Sequence, residues 1–182
     1  MSQGSSLKDQ PDSFGWISIG LHWLAAIILV VLWVLGRSIE FQPPDAIDTR
    51  RSLHVTLGLL AWLLLAGRIG WRIKHVHPRA VGQSDRTHAI ARTTHYLMLA
   101  LLAIMLLSGP LLALTLAGQP NIASLTHVAH GFTANLLAIL VLLHVGGALK
   151  HLMFNEDETI ARIFVPRARQ QDEPDPRPGK DS

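Results

Sequence analysis

The chain carries ten histidines, and where they stand decides what chemistry they can do. His75, His77 and His88 fall in a polar, basic link and are read as solvated. His22, His54, His95, His127, His130, His144 and His151 lie in or beside long apolar runs. An imidazole placed in hydrocarbon needs a partner, and ionisable groups at that depth are rare and usually functional. His130 and His144 are fourteen residues apart. On one helix that spacing returns them to within ~40° of the same face and ~21 Å apart along the axis. Level partners come from other helices, His22 with His144 and His54 with His130. A packed histidine bonded to a neighbouring carbonyl is the plain alternative for any single one, but four at paired depths favour ligation.

The elements that must position these side chains are four apolar blocks, 16–35, 53–70, 96–116 and 132–149, each close to the ~20 residues that cross a bilayer core. With 49% hydrophobic residues in 182, the chain reads as all-α, an integral membrane four-helix bundle. The first block is longer than the core of a secretory signal and no small-residue cleavage site follows it, so it is expected to be a permanent helix. Residues 1–13 form a polar N-terminal segment, 14–166 the four-helix transmembrane unit, and 167–182 a Pro-rich charged tail of disordered composition. The link between the second and third blocks carries Arg68, Arg72, Lys74, Arg79, Arg86 and Arg92 against Asp85 alone, while the next link has no charged residue. Basic links face the cytoplasm, which puts both termini there, in agreement with Lys150, Arg162, Arg167 and Arg169. His22 and His144 are then the inner pair, and His54 and His130 the outer pair. That basic edge accounts for the formal net charge of +3 without nucleic-acid binding.

The absence of cysteine excludes thiolate ligation, all-Cys iron–sulfur clusters and covalent haem attachment. Zinc normally takes four N or S ligands, whereas haem needs two axial ligands and an apolar slot between helices. The economical reading is two non-covalent b-type haems (iron protoporphyrin IX), with iron held by His22 and His144 and by His54 and His130. His127, less than one turn before His130, is a possible replacement ligand. Gly146, Gly147 and Ala148 beside His144, and Gly58 and Ala61 beside His54, suit either a porphyrin's close approach or ordinary helix packing. Arg68, fourteen residues beyond His54, suits a haem propionate at the inner side or a positive-inside anchor. On the outer loop, Arg37, Arg50 and Arg51 form an edge that would draw a small anion such as superoxide towards the outer haem. Glu40, Asp45 and Asp48 offset that charge, and helix capping or propionate binding are the other uses for these arginines.

The stretches "SIGLHWL", "SLHVTLGLL", "HYLMLALLAIMLLSGPL" and "HGFTANLLAILVLLHVGGALKHL" together resemble the bacterial cytochrome b561 family of four-helix, dihaem membrane proteins, including its superoxide oxidases. The resemblance covers residues 14–166. It implies axial ligands from the first, second and fourth helices, at His22, His54, His130 and His144, and a ubiquinone site near His151, with His95 as its rival. It further implies a multi-pass protein among the lipids of the bacterial inner membrane, a superoxide:ubiquinone oxidoreductase moving electrons from a periplasmic donor to ubiquinone. Two alternatives stand beside it. One is a cytochrome b subunit serving a partner dehydrogenase or hydrogenase, and the other is a His-lined proton or metal-ion transporter, which would be colourless.

Overall fold

The structure, a computed structural model, describes residues 7–9, 14–75, 85–115 and 120–154, with the backbone alone at 120, 121 and 151–154. The expected tail, His77 and Arg79 lie outside the described residues. Four helices follow one another: α1 (Trp16–Ser38), α2 (Ile47–Lys74), α3 (Asp85–Thr115) and α4 (Pro120–Phe154), with a 3-10 turn at Ile39–Phe41 after α1. All four are long and apolar enough to cross a membrane. Each outruns its apolar block, because polar end residues suit helix termini. Asp48 and Asp85 sit in the first turns of α2 and α3, and Arg72 and Lys74 in the last turn of α2, where their charges oppose the helix dipole. Pro120 opens α4 at the position where a missing N–H costs nothing. The 35 residues of α4 reach ~52 Å.

Large apolar side chains cover the outside, with Leu60 75% and Leu63 76% exposed, as expected of a surface solvated by lipid. Inside, Ala25 of α1, Leu65 of α2 and Leu102 of α3 form the buried cluster, flanked by Ile28, Leu29, Ala61 and Leu106. The close helix contacts among the described residues are α3 on α4, α1 on α2 and α2 on α3. On α4 the buried Ala123, Thr126, Thr133 and Leu137 fall on one stripe of heptad spacing. His130 and His144 continue that same stripe, so the face that packs inward is the one carrying the histidines. Pro110 lies inside α3 and cannot donate to the Leu106 carbonyl one turn earlier. The Trp62 indole of α2 donates to that carbonyl instead, at 2.9 Å, which meets the demand for internal satisfaction of backbone groups in lipid and ties α2 to α3.

Candidate functional site

At the end where α1 finishes and α2 begins, the rings of His54 and His130 face each other with centroids 6.4 Å apart and planes at 88°. Ser108 Oγ of α3 lies 2.9 Å from His130 Nδ1; with Nδ1–H donating to the serine, Nε2 is the nitrogen left for a metal. The backbone makes room for both rings. A Cβ on Gly36 would stand 3.1 Å from His54 Cε1 and 3.4 Å from its Nδ1, and one on Gly109 would stand 3.4 Å from His130 Cε1. Among the described residues His54 Nδ1 is buried with no partner in hydrogen-bond geometry.

At the opposite end of the bundle His22 and His144 are also 6.4 Å apart between centroids, with planes at 67°. Arg68 Nη2 donates to His22 Nδ1 at 3.1 Å, so Nδ1 is the acceptor and His22 is neutral with its proton on Nε2. His95 of α3 touches His144 edge-on, centroids 4.8 Å apart, and its Nδ1 donates to the Ala91 carbonyl at 2.6 Å. Below this group, residues 7–9 fold back onto the bundle. Asp9 Oδ1 accepts from the Gly15 amide at 2.8 Å and Asp9 Oδ2 from Ser18 Oγ at 2.7 Å, while Trp71 Nε1 donates to Ser18 Oγ at 2.7 Å.

The two pairs have the spacing that a metal between two imidazoles requires. Metal–nitrogen bonds of about 2.0–2.1 Å, with about 1.1 Å from each nitrogen to its ring centre, put the centroids ~6.3 Å apart. The His95–His144 separation is too short for the same arrangement. Each pair also spans helices that are not closely packed along their length, α1 with α4 and α2 with α4. Among the described residues no three His, Asp or Glu gather as a metal-ion group. Four imidazoles in two spaced pairs, glycine cradles and a buried orphan nitrogen therefore fit b-type haem. A profile of the prokaryotic cytochrome b561 family matches residues 13–166.

The chain belongs to the prokaryotic cytochrome b561 family. It is 27% identical over 178 residues to cytochrome b561 homolog 2 of Escherichia coli (strain K12), covering 87% of this chain and 95% of that protein. To the probable superoxide oxidase of Yersinia pestis it is 24% identical over 169 residues, covering 84% and 96%. As a cytochrome b561, the protein is a membrane cytochrome that binds b-type haem and serves electron transfer.

Several sequence expectations change in detail. Arg72, counted among the charges of a solvated link, is 4% exposed, because α2 continues past it and Asp9 meets it. His75, read as solvated, is the cap residue of α2, and it folds back to stack on Trp71 with centroids 3.9 Å apart. Of the outer arginines, Arg51 pairs with Asp48 at 2.9 Å and Arg37 with Glu40 at 3.6 Å; Arg50 has no ion pair among the described residues. His127 is exposed. A Cβ on Gly146 or Gly147 would meet nothing within 4 Å, and one on Gly58 only Leu32 Cδ2 at 4.0 Å. Gly36, Gly109, Ser108 and Asp9 were missed as parts of the site. The one signal for two of them was the triplet "SGP" in an apolar helix, with Ser and Gly just before a proline.

Proposed function

We propose that this cytochrome b561 holds two haems, one between His22 and His144 and one between His54 and His130, and carries electrons across the bacterial inner membrane from superoxide at the periplasmic face to ubiquinone. The equal 6.4 Å spacing of the two imidazole pairs carries the reading. Haem in such sites supplies one-electron exchange with no open metal position, which suits a small outer-sphere donor. The excess of Lys and Arg between α2 and α3 supports a cytoplasmic location for the His22 end and for both termini. His130 is oriented by Ser108 through Nδ1, and Gly36 and Gly109 give the outer rings their room. Were iron held through Nε2 of His22, the ring proton would sit on Nδ1, the Arg68 contact would be lost, and that guanidinium would be free to hold a haem propionate. His95, fixed by Ala91 in the tautomer whose Nε2 accepts, stands beside the inner pair as a hydrogen-bonding and proton-handling group for ubiquinone. His151, one heptad beyond His144 and ~10 Å further along the axis, is the second candidate for that role.

Haem count after single substitutions tests the ligand set. His22→Ala or His144→Ala should abolish the inner low-spin haem signal and keep the outer one, and His54→Ala or His130→Ala should do the reverse. Two full equivalents of low-spin haem in His130→Ala with His127→Ala would refute the outer assignment.

A further inference from the structure

The most buried charged pair in the described chain is one the ligand set does not use. Arg72 and Asp9 are 4% and 5% exposed, with Arg72 Nη1 3.7 Å from Asp9 Oδ2. That distance is long because both carboxylate oxygens already accept short bonds, from the Gly15 amide and from Ser18 Oγ. Asp9 therefore balances the charge of Arg72 without satisfying its donors. Among the described residues Arg72 Nη2 is buried with no hydrogen-bond partner, and the guanidinium carbon lies over the Phe14 ring, 5.3 Å from its centroid. An orphaned buried donor is costly, the more so on a charged group. Arg72 also lies one turn from Arg68 on the same face of α2 and within electrostatic reach of His22 and His95. The cluster thus holds two guanidinium groups, one carboxylate and one unused donor beside the inner histidine pair.

We propose that Arg72, held by Asp9 through Nη1, offers Nη2 to a carboxylate of the inner haem beside Arg68, so that Asp9 is part of the inner cofactor site. This rests on the reading of His22 and His144 as a haem pair. Charge matches charge: a planar guanidinium with a spare N–H is the usual receiver of a carboxylate, and an added anion brings two cations and one anion to neutrality. Asp9 then has two tasks, capping α1 and keeping Arg72 aimed.

The test uses the haem-loaded protein in native lipid and in Arg72→Gln, Asp9→Asn and the double variant, with haem counted first and both midpoint potentials then titrated. The double variant removes both charges together, a change buried pairs often tolerate, so the test survives if a single variant fails to fold. At a fixed ambient potential, the reduced-to-oxidised ratio of the inner haem should fall about tenfold in Arg72→Gln and rise about tenfold in Asp9→Asn, the effect of one unit charge some 10–15 Å away at an effective dielectric of about 20. The double variant should return close to native, with the outer haem unmoved throughout. The propionate band in resonance Raman spectra should move in both variants lacking Arg72. Two haems with unmoved inner potentials would overturn the proposal. So would an unmoved propionate band together with potentials that follow the lipid headgroup, which would give Nη2 to a lipid phosphate. Fewer than two haems in the native protein would instead refute the ligand reading beneath it.

Discussion

Gly36 offers the sharpest check on the outer site, because the three atoms nearest to a methyl group there all belong to the His54 ring. In Gly36→Ala the new Cβ would sit 3.1 Å from His54 Cε1, 3.4 Å from Nδ1 and 3.8 Å from Nε2. The first contact is inside van der Waals range, so the ring must retreat by a few tenths of an ångström or twist about its side-chain torsions. An off-rotamer torsion costs ~0.5–1.5 kcal/mol, which is about a 2- to 13-fold loss of outer-haem affinity. Alanine in a helix interior is itself ~0.5–1 kcal/mol more stable than glycine, so the fold should not weaken. Gly109→Ala sets the scale, since its Cβ would meet His130 Cε1 at 3.4 Å, at the edge of ordinary contact, and should have a smaller effect. The assay is haem transfer to a competing apoglobin, with low-spin ferric resonances reporting which haem leaves. Native retention in Gly36→Ala and in Gly36→Val, or a larger loss in Gly109→Ala than in Gly36→Ala, would refute the cradle.

Other outcomes follow from the same geometry. Trp62→Phe leaves the Leu106 carbonyl without a donor and should cost ~1–3 kcal/mol in stability, seen as a lower Tm; in Pro110→Ala, which returns an N–H to that carbonyl, the same substitution should cost much less, and strict additivity would refute the link. With Arg37 and Arg51 tied to carboxylates, Arg50 is the one of these three arginines without an ion pair among the described residues, and so the best placed of them to steer a small anion. Haem reduction by pulsed superoxide should therefore slow in Arg50→Gln more than in Arg51→Gln and should weaken with salt, whereas a slow, salt-independent rate would favour a protein donor. His95→Gln should keep both haems and slow ubiquinone reduction; unchanged kinetics there, with a loss in His151→Ala, would move the quinone to the end of α4.

The fold and the pairing of the histidines were legible in the sequence because both rest on periodicity. Four blocks of bilayer length needed no partner to be read, and a fourteen-residue interval on one helix fixes face and depth by geometry alone. The pairing of His22 with His144 followed from helix direction, which alternates once the loops are short. What escaped notice depends on contacts between distant segments. Arg72 looks like any charge at the end of a membrane helix until Asp9, sixty-three residues earlier, is seen against it. Gly36 is one small residue among many in an apolar run, and only the approach of His54 from α2 gives it a task. Gly146 and Gly147 stand beside His144 in sequence and look better placed, yet a helix puts sequence neighbours on different faces.

The two ends of the bundle surround their histidines with different charge, and that difference sets a direction. The outer rings are met by a serine hydroxyl and by glycine backbone, which are neutral, and of the arginines at that end Arg37 and Arg51 are exposed and paired with carboxylates while Arg50 is half-buried. The His22 ring is met by the half-buried Arg68, with the buried Arg72 one turn further along α2 and Asp9 cancelling one of the two charges. A haem whose carboxylate is paired with a guanidinium gains an electron more readily than one whose carboxylates face only neutral groups, and burial magnifies the effect. The inner site should therefore have the higher midpoint potential, so that electrons entering at the His54 end run downhill to the His22 end, as a superoxide-to-quinone path requires. Potentiometric titration of native protein against His54→Ala, which retains only the inner haem, assigns the two potentials. If the surviving haem proves to be the lower of the two, the charge argument fails, and the inward direction of electron flow fails with it.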